Sequence, residues 1–416
     1  MRPGREKRDR KRAAQEARSK EKFRQVMALL GIEADIRSLP LRVRESLRQP
    51  PYPKPTCVIE QDAGNDPDAE TIRRRIDEFT ATETAVLEGD SVIALADFFT
   101  TFVPLLHRLD ALLIDAALPK QAAAIKRAKA AAASFYRQNI AEVLRILLRG
   151  VDQILSEYTR IDRGIWWAGT TSATVADGRR QIQVTVHLAR PRRIMVGLDG
   201  KRPQPAFWCG GPHGTQGVRW VSWPSRFVRR GGDDSLLPVY VQQHALDQLR
   251  ERVPITGPGV EDYLWQSLVD PKLLPGDRTD EFLAEYRLYQ YVLGYLPVRR
   301  LPDKIIVKTF LFLTMSGTPQ QRLLFKKLGL ERRHREQQSL DQLTLYLTTD
   351  IQTDPVLRRV FAECGCGHLF DMIKPEFRAD AEAGLAGKLR RFLGIESEAD
   401  LRGLGFVTDT PSTNEQ

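Results

Sequence analysis

Cysteine is scarce in this chain: four residues in 416, at positions 57, 209, 364 and 366. So few thiols, so unevenly spaced, exclude a disulfide framework and point to free thiols in a reducing compartment. No run of about 18 apolar residues occurs, which excludes a transmembrane helix. The start is charged and has no apolar h-region, so no secretory signal is expected and the cytoplasm is the expected location. Phosphate-cradling glycine motifs are missing too. Gly197-x-x-Gly200 and Gly210-Gly211 lack Walker or dinucleotide spacing. There is no catalytic-triad signature and no paired-carboxylate box, and no cofactor is expected.

What is present is ordinary material for a folded protein: 42% hydrophobic and 28% charged residues. The length exceeds what one core comfortably serves, so two or three domains are expected. The net charge of +10 favours a polyanionic partner, nucleic acid ahead of any membrane. Its distribution is uneven. Residues 1–24 hold eleven Lys or Arg and four Asp or Glu, a net of +7. Arg5, Lys7, Arg8, Arg10, Lys11 and Arg12 are therefore candidates for nucleic-acid contact, against the plainer reading of a solvated charge run.

Residues 5–30 read as a helix with Phe23, Val26, Met27 and Leu30 on one stripe and Gly31 as its C-cap. They fall in a basic helical arm over 1–48. Five prolines and an acidic stretch make 49–68 a linker. Asp68 is a natural N-cap for a helix carrying Ile72, Ile76 and Phe79. A helical segment over 90–116 is expected to kink or end at Pro104. A long helical pattern then runs from Pro119 to about Tyr158, so 69–160 is expected to be an antiparallel bundle. From about Asp162 the period changes to two. Asp177-Gly178 predicts a hairpin turn, 193–197 and 218–223 are short strands, and helices follow at 242–253 and 259–270. Strands over 282–293 and 304–314 come next, with Pro297 and Pro302 flanking the turn. Short helices over 318–394, with Thr318 and Pro319 as N-cap and N1, precede a flexible tail over 396–416. The expected fold is α+β: a helical N-terminal bundle, then an α/β domain over 162–395 with a mainly antiparallel sheet and C-terminal helices.

The segment Tyr240-Val-Gln-Gln-His-Ala-Leu-Asp-Gln-Leu-Arg-Glu-Arg-Val253 runs from a strand straight into a helix bearing His244, Arg250 and Arg252. With the strands that follow, 237–315 resembles bacterial toxin ribonucleases of the RelE-like and barnase-like superfamily. His244, Ala245, Leu249, Arg250 and Arg252 carry the match, while Gln248 stands where that pattern commonly has arginine. The resemblance implies metal-independent RNA cleavage. A base takes the ribose 2′-OH proton, cations stabilise the phosphorane, and an acid protonates the leaving 5′-oxygen. Imidazole suits the proton transfers because it titrates nearest neutrality, and guanidinium grips phosphate bidentately. On a helix, positions 244 and 252 lie about 80° apart and share a side, whereas 250 and 252 do not. Arg287, Tyr289 and Tyr291 are expected on one face of strand 282–293, and Lys304 and Lys308 on the next. His244, Arg252, Arg250, Tyr289 and Lys308 are thus the candidate catalytic set. The competing reading makes His244 a hydrogen-bonded first-turn residue and pairs Arg250 and Arg252 with Glu251 or with helix 259–270.

Two further features stand out. Cys209 with His213, and Cys364, Cys366 with His368, have ligand types that suit zinc, provided the clusters meet in space; the plainer reading, small residues in tight turns with no metal, is the one expected. Over 191–230, Arg192, Arg193, Lys201, Arg202, Arg219, Arg226, Arg229 and Arg230 interleave with Phe207, Trp208, Trp220, Trp223 and Phe227, as unpaired bases with phosphates would require. A β-rich subdomain with buried Trp and an Arg rim is the alternative. The two function classes are an RNA-directed protein, an endoribonuclease of toxin type, and a non-enzymatic protein whose bundle takes a protein partner while the arm touches nucleic acid. RNA is favoured over DNA as the partner.

Overall fold

A computed structural model describes residues 3–48, 54–87, 90–112, 119–174, 180–228, 233–254, 259–276, 278–328, 340–372 and 384–403. The fold is α+β, and the chain divides into two compact units. The first takes Met1–Tyr158, Trp166–Leu188 and His213–Gly217; the second takes Thr159–Ile165, Ala189–Pro212 and Val218–Gln416. The boundary expected near residue 162 is therefore not simple: Trp166–Leu188 belongs with the first unit.

The first unit carries α1 (Pro3–Leu29), α2 (Glu33–Arg37), α3 (Leu41–Leu47), β1 (Thr56–Ile59), α4 (Ala69–Thr82), the β2 (Thr84–Val86) and β3 (Val92–Ala94) hairpin, α5 (Leu95–Asp97), α6 (Val103–Ala111), α7 (Pro119–Tyr158), β4 (Ile165–Thr174) and β5 (Arg180–Ala189). Phe23, Val26 and Met27 of α1 are buried in the unit's core, so 1–48 is no detached arm. Gly31, at φ +65, supplies the left-handed residue that stops α1. The stretch read as a linker contains β1, which pairs in parallel with β5, Cys57 opposite Val184. Burial drives this: Cys57 and Val184 face the core, and Pro55 just before the strand does not interrupt four residues of ladder. In α4, Ile72 and Ile76 stack one turn apart and are fully buried, each contributing roughly 2 kcal/mol. Asp68 sits at the N-cap of α4, but its side chain makes no cap bond. The segment expected as a helix over 90–116 begins as β3, and Phe98–Phe102 is π-helical just before Pro104, which lacks the N–H that a regular turn needs. Asp177 and Gly178 lie outside the described residues.

The second unit carries β6 (Arg193–Val196), β7 (Gln204–Trp208), β8 (Gly210–Pro212), β9 (Val218–Trp220), β10 (Ser222–Pro224), β11 (Leu236–Gln242), α8 (Gln243–Arg252), α9 (Val260–Val269), β12 (Leu273–Pro275), β13 (Glu281–Leu288), β14 (Tyr291–Arg300), β15 (Ile305–Val307), β16 (Leu311–Phe312), α10 (Pro319–Leu328), α11 (Leu343–Thr348), α12 (Pro355–Glu363), α13 (Leu385–Leu393) and α14 (Glu398–Gly403). The main sheet has the order β12-β13-β14-β15-β11-β7-β6. Its pairs are antiparallel except β11 with β15, which are parallel.

Two strand expectations need correction. The run 282–293 is a hairpin: β13 and β14 meet around Tyr289-Gln290, with Leu288 opposite Tyr291. Tyr289 is at φ +55 and 71% exposed, so it caps a turn and lies on no strand face. The run 304–314 breaks into β15 and β16. Pro297 sits inside β14 opposite Leu283 and not at a turn. At the far end, Glu398–Gly403 is helical with Leu401 buried, against a flexible tail from residue 396; residues 404–416 lie outside the described residues. Thr318 does cap α10: its hydroxyl accepts from the Gln321 N–H at 3.2 Å.

The main core of this unit lies on one face of the sheet. Phe207, Val239, Val241, Ile305 and Val307 point there, under Ala245, Leu246 and Leu249 of α8 and Leu264 and Leu268 of α9. The other face carries a separate small cluster of Val196, Ala206, Tyr240 and Ile306, bordered by half-buried Ile194, Leu198, Trp208 and Leu301.

Candidate functional site

Where β11 runs into α8, the chain leaves the sheet at Gln242, the N-cap, and His244 follows in the first helical turn. No side chain caps this helix. Ala245, Leu246 and Leu249 bury the opposite side of α8, so the pattern that packs the helix also turns His244 outward. His244 is exposed and makes no hydrogen bond among the described residues, against the reading of it as a structural first-turn residue.

His244 lines a cleft of about 420 Å³ together with Gln242, Asp199, Lys201, Arg202 and Lys308. Asp199 and Gly200, at φ +54 and +71, form the tight turn between β6 and β7, closed by the Lys201 N–H to the Leu198 carbonyl at 3.0 Å. This turn projects Lys201 and Arg202 beside the cleft, and both are exposed. Lys308 follows β15 and reaches Glu281 Oε1 at 2.9 Å and Asp199 Oδ2 at 3.5 Å. Asp199 also accepts from Arg299, which binds Asp280 at 3.1 Å. The Arg299 hydrogen bond, helped by the charge of Lys308, holds the Asp199 carboxyl below the usual carboxylate range.

The other catalytic candidates lie elsewhere. Arg250 points away and holds Asp162 at 2.8 and 3.1 Å through Nη2 and Nη1, and Glu261 through Nε at 2.8 Å. Glu261 is 4% exposed and also accepts from the Ile161 N–H. Burial raises its pKa more than Arg250 lowers it. Arg252 does not share the cleft with His244: its guanidinium is committed to Asp341 and to Gln248 Oε1 at 2.8 Å. Arg287 pairs with Glu285 at 2.6 Å, Lys304 with Asp303 at 2.8 Å, and Tyr291 stacks on His368. Tyr289 packs edge-on against Tyr263.

The zinc candidates do not gather. Among the described residues, no three His, Cys, Asp or Glu side chains are placed to share an ion. Burial pushes the thiols of Cys364 and Cys366 up to about 11 and about 12 and that of Cys209 higher still, whereas zinc requires thiolates. His368 Nε2 is 2.7 Å from the Val292 carbonyl, and His213 is exposed.

In the Arg/Trp stretch, Trp223 is 1% exposed and donates to the Leu268 carbonyl at 2.7 Å, so it is core and cannot meet a base. Arg226 contacts Asp234 and lies 5.8 Å over the Phe227 ring. Arg229 and Arg230 lie outside the described residues. Arg192 and Arg193 are exposed and Trp220 is half-buried. Arg5, Lys7, Arg8, Arg10, Lys11 and Arg12 fall on α1, where Arg10 is exposed.

Asp199, Gln204, Gln242 and Thr309 line the cleft and were not expected there. Asp199-Gly200 between two alternating stretches was the available signal, since that dipeptide favours a two-residue hairpin. No family model matches this chain, and neither a curated protein nor a solved structure does.

Proposed function

We propose that the chain is an RNA-directed protein that holds a phosphodiester in the His244 cleft, with His244 as proton carrier in metal-independent cleavage of the RelE-like kind. One observation carries the reading: an exposed imidazole with no partner among the described residues shares a concave site with Lys201, Arg202 and Lys308 at an uncapped helix start. Lys201 and Arg202 neutralise phosphate, the free N–H groups of α8 favour an anion, and the imidazole moves the proton. The strand–helix–helix–strand order of β11, α8, α9 and β13–β15 supports the same reading. In it the first unit is a helical bundle, α1 adds non-specific phosphate contact, and the protein is cytoplasmic. Incubation with total RNA in EDTA tests the proposal. Fragments that disappear with His244→Ala support it; intact RNA at high protein excess rejects cleavage.

A second reading, binding without chemistry, is favoured by a specific observation. The cleft has one imidazole, and the carboxylate beside it is committed to Arg299 and Lys308, so a second proton carrier is missing. In this reading the first unit takes a protein partner, and α7 offers a groove of about 580 Å³ around Leu144 and Leu148.

A further inference from the structure

The sheet face next to the cleft carries an aromatic row that phosphate binding leaves unexplained. Strand register puts Tyr240, Trp208 and Ile306 in one row across β11, β7 and β15. Gln242, Ala206 and Ile194 form the next row, and Gln204 and Val196 the third. Gln242, Gln204 and Val196 line the cleft, so cleft and aromatic row share one face, two residues or about 7 Å apart along a strand.

The aromatic row is fixed in place. Trp208 Nε1 donates to the Val221 carbonyl at 2.9 Å, and the ring packs 5.3 Å from Trp220 and 6.4 Å from Tyr240. Trp220 lies against Gly210, where an added Cβ would come within 2.6 Å of the indole. Both Trp208 and Trp220 are half-buried. Arg192 stands opposite Trp208 in the ladder, and Lys201 and Arg202 line the cleft on the same face; all three are exposed and have no ion-pair partner among the described residues. Between residues 189 and 228 there are seven Lys or Arg and one acid, Asp199.

We infer that Trp208 and Trp220 form a stacking platform for unpaired bases, flanking a phosphate in the His244 cleft, so that the ligand is single-stranded RNA. Indoles held rigid before binding stack at low ordering cost, while Arg192 beside Trp208 and the cations of the cleft meet the backbone. A duplex hides its base faces and does not engage such a platform. The inference rests on the RNA reading of the cleft but not on cleavage.

The test uses the full chain and a labelled 2′-O-methyl oligouridine of about 12 nucleotides, which cannot be cleaved, alone or annealed to its complement. The single strand binds roughly ten-fold tighter than the duplex and quenches tryptophan emission. Trp220→Ala loses roughly ten-fold on the single strand and little on the duplex, while Trp220→Phe keeps most of the affinity. Equal affinity for the two ligands, or Trp220→Ala matching Trp220→Phe, overturns the platform and leaves the cleft reading standing. Displacement by polyglutamate with the same Trp220 dependence overturns it in favour of an acidic protein partner. Absence of cleavage with single-strand binding intact removes the catalytic proposal and keeps the platform.

Discussion

The Arg250 guanidinium grips the Asp162 carboxylate at two points, 2.8 and 3.1 Å, and in doing so stands beside nearly buried Glu261. Removing one partner of such a cluster leaves an uncompensated buried charge. Arg250→Met is expected to cost about 3–5 kcal/mol at pH 7. The sign with pH follows from the two carboxyls. Burial opposes the charge on Asp162, but the Arg250 and Gln243 bonds outweigh it, so its pKa is lowered and its contribution is lost as pH falls through the folded value. The pKa of Glu261 is raised by burial, so its charged form opposes folding as pH rises above the unfolded value. Without Arg250 the second effect dominates. Chemical denaturation of the variant is expected to show the deficit shrinking from pH 7 toward pH 4.5. A deficit that does not change with pH contradicts this account of the cluster.

Gly294 allows β14 to pass β16. An added Cβ would sit 2.2 Å from the Leu311 carbonyl, a backbone atom that cannot swing away. Gly294→Ala is expected to destabilise by about 3 kcal/mol, measured as a shift in denaturation midpoint with unchanged slope.

Lys308 is shared between Glu281 and Asp199, and Asp199 therefore competes with any phosphate for the cations of the cleft. Asp199→Asn is expected to tighten oligonucleotide binding several-fold at low salt. Lys308→Ala is expected to weaken it and to lower the slope of log K against log salt by about one. Opposite signs for these two variants are the signature; the same sign for both argues against phosphate in the cleft.

The basic start of α1 makes a separate salt-dependent prediction. Because Phe23 is buried, truncation through residue 24 removes core, so the charges are better neutralised in place. Gln at Arg5, Lys7, Arg8, Lys11 and Arg12 is expected to flatten the salt slope by several units without moving the unfolding temperature. An unchanged slope assigns nucleic-acid contact to the second unit alone.

The periodic features were legible in the sequence. The alternation of Ala284, Tyr286 and Leu288 marks β13, the spacing of Ala128, Ala132, Val143, Leu147 and Val151 marks α7, and an outward His244 follows from the apolar set of α8. Local signals failed where long-range burial decided. Nothing in Thr56–Ile59 announces a strand until β5, more than 120 residues away, offers it a ladder. Tyr289 is no turn former by type, and only the pairing of Leu288 with Tyr291 places it at positive φ. Within the candidate site, helical geometry correctly separated Arg250 from Arg252. It could not foresee that Asp341, 89 residues along the chain, takes Arg252 out of reach of the cleft. Lys308 entered the cleft instead, because β11 and β15 lie side by side.

The central claim is that His244 moves a proton for RNA cleavage in this cleft. A defined single-stranded RNA incubated with the purified chain in EDTA measures it directly. The account predicts cleavage that leaves a 2′,3′-cyclic phosphate and falls by at least about 100-fold in His244→Ala, with folding unchanged. No cleavage by the unaltered chain, or equal rates for the two proteins, contradicts it.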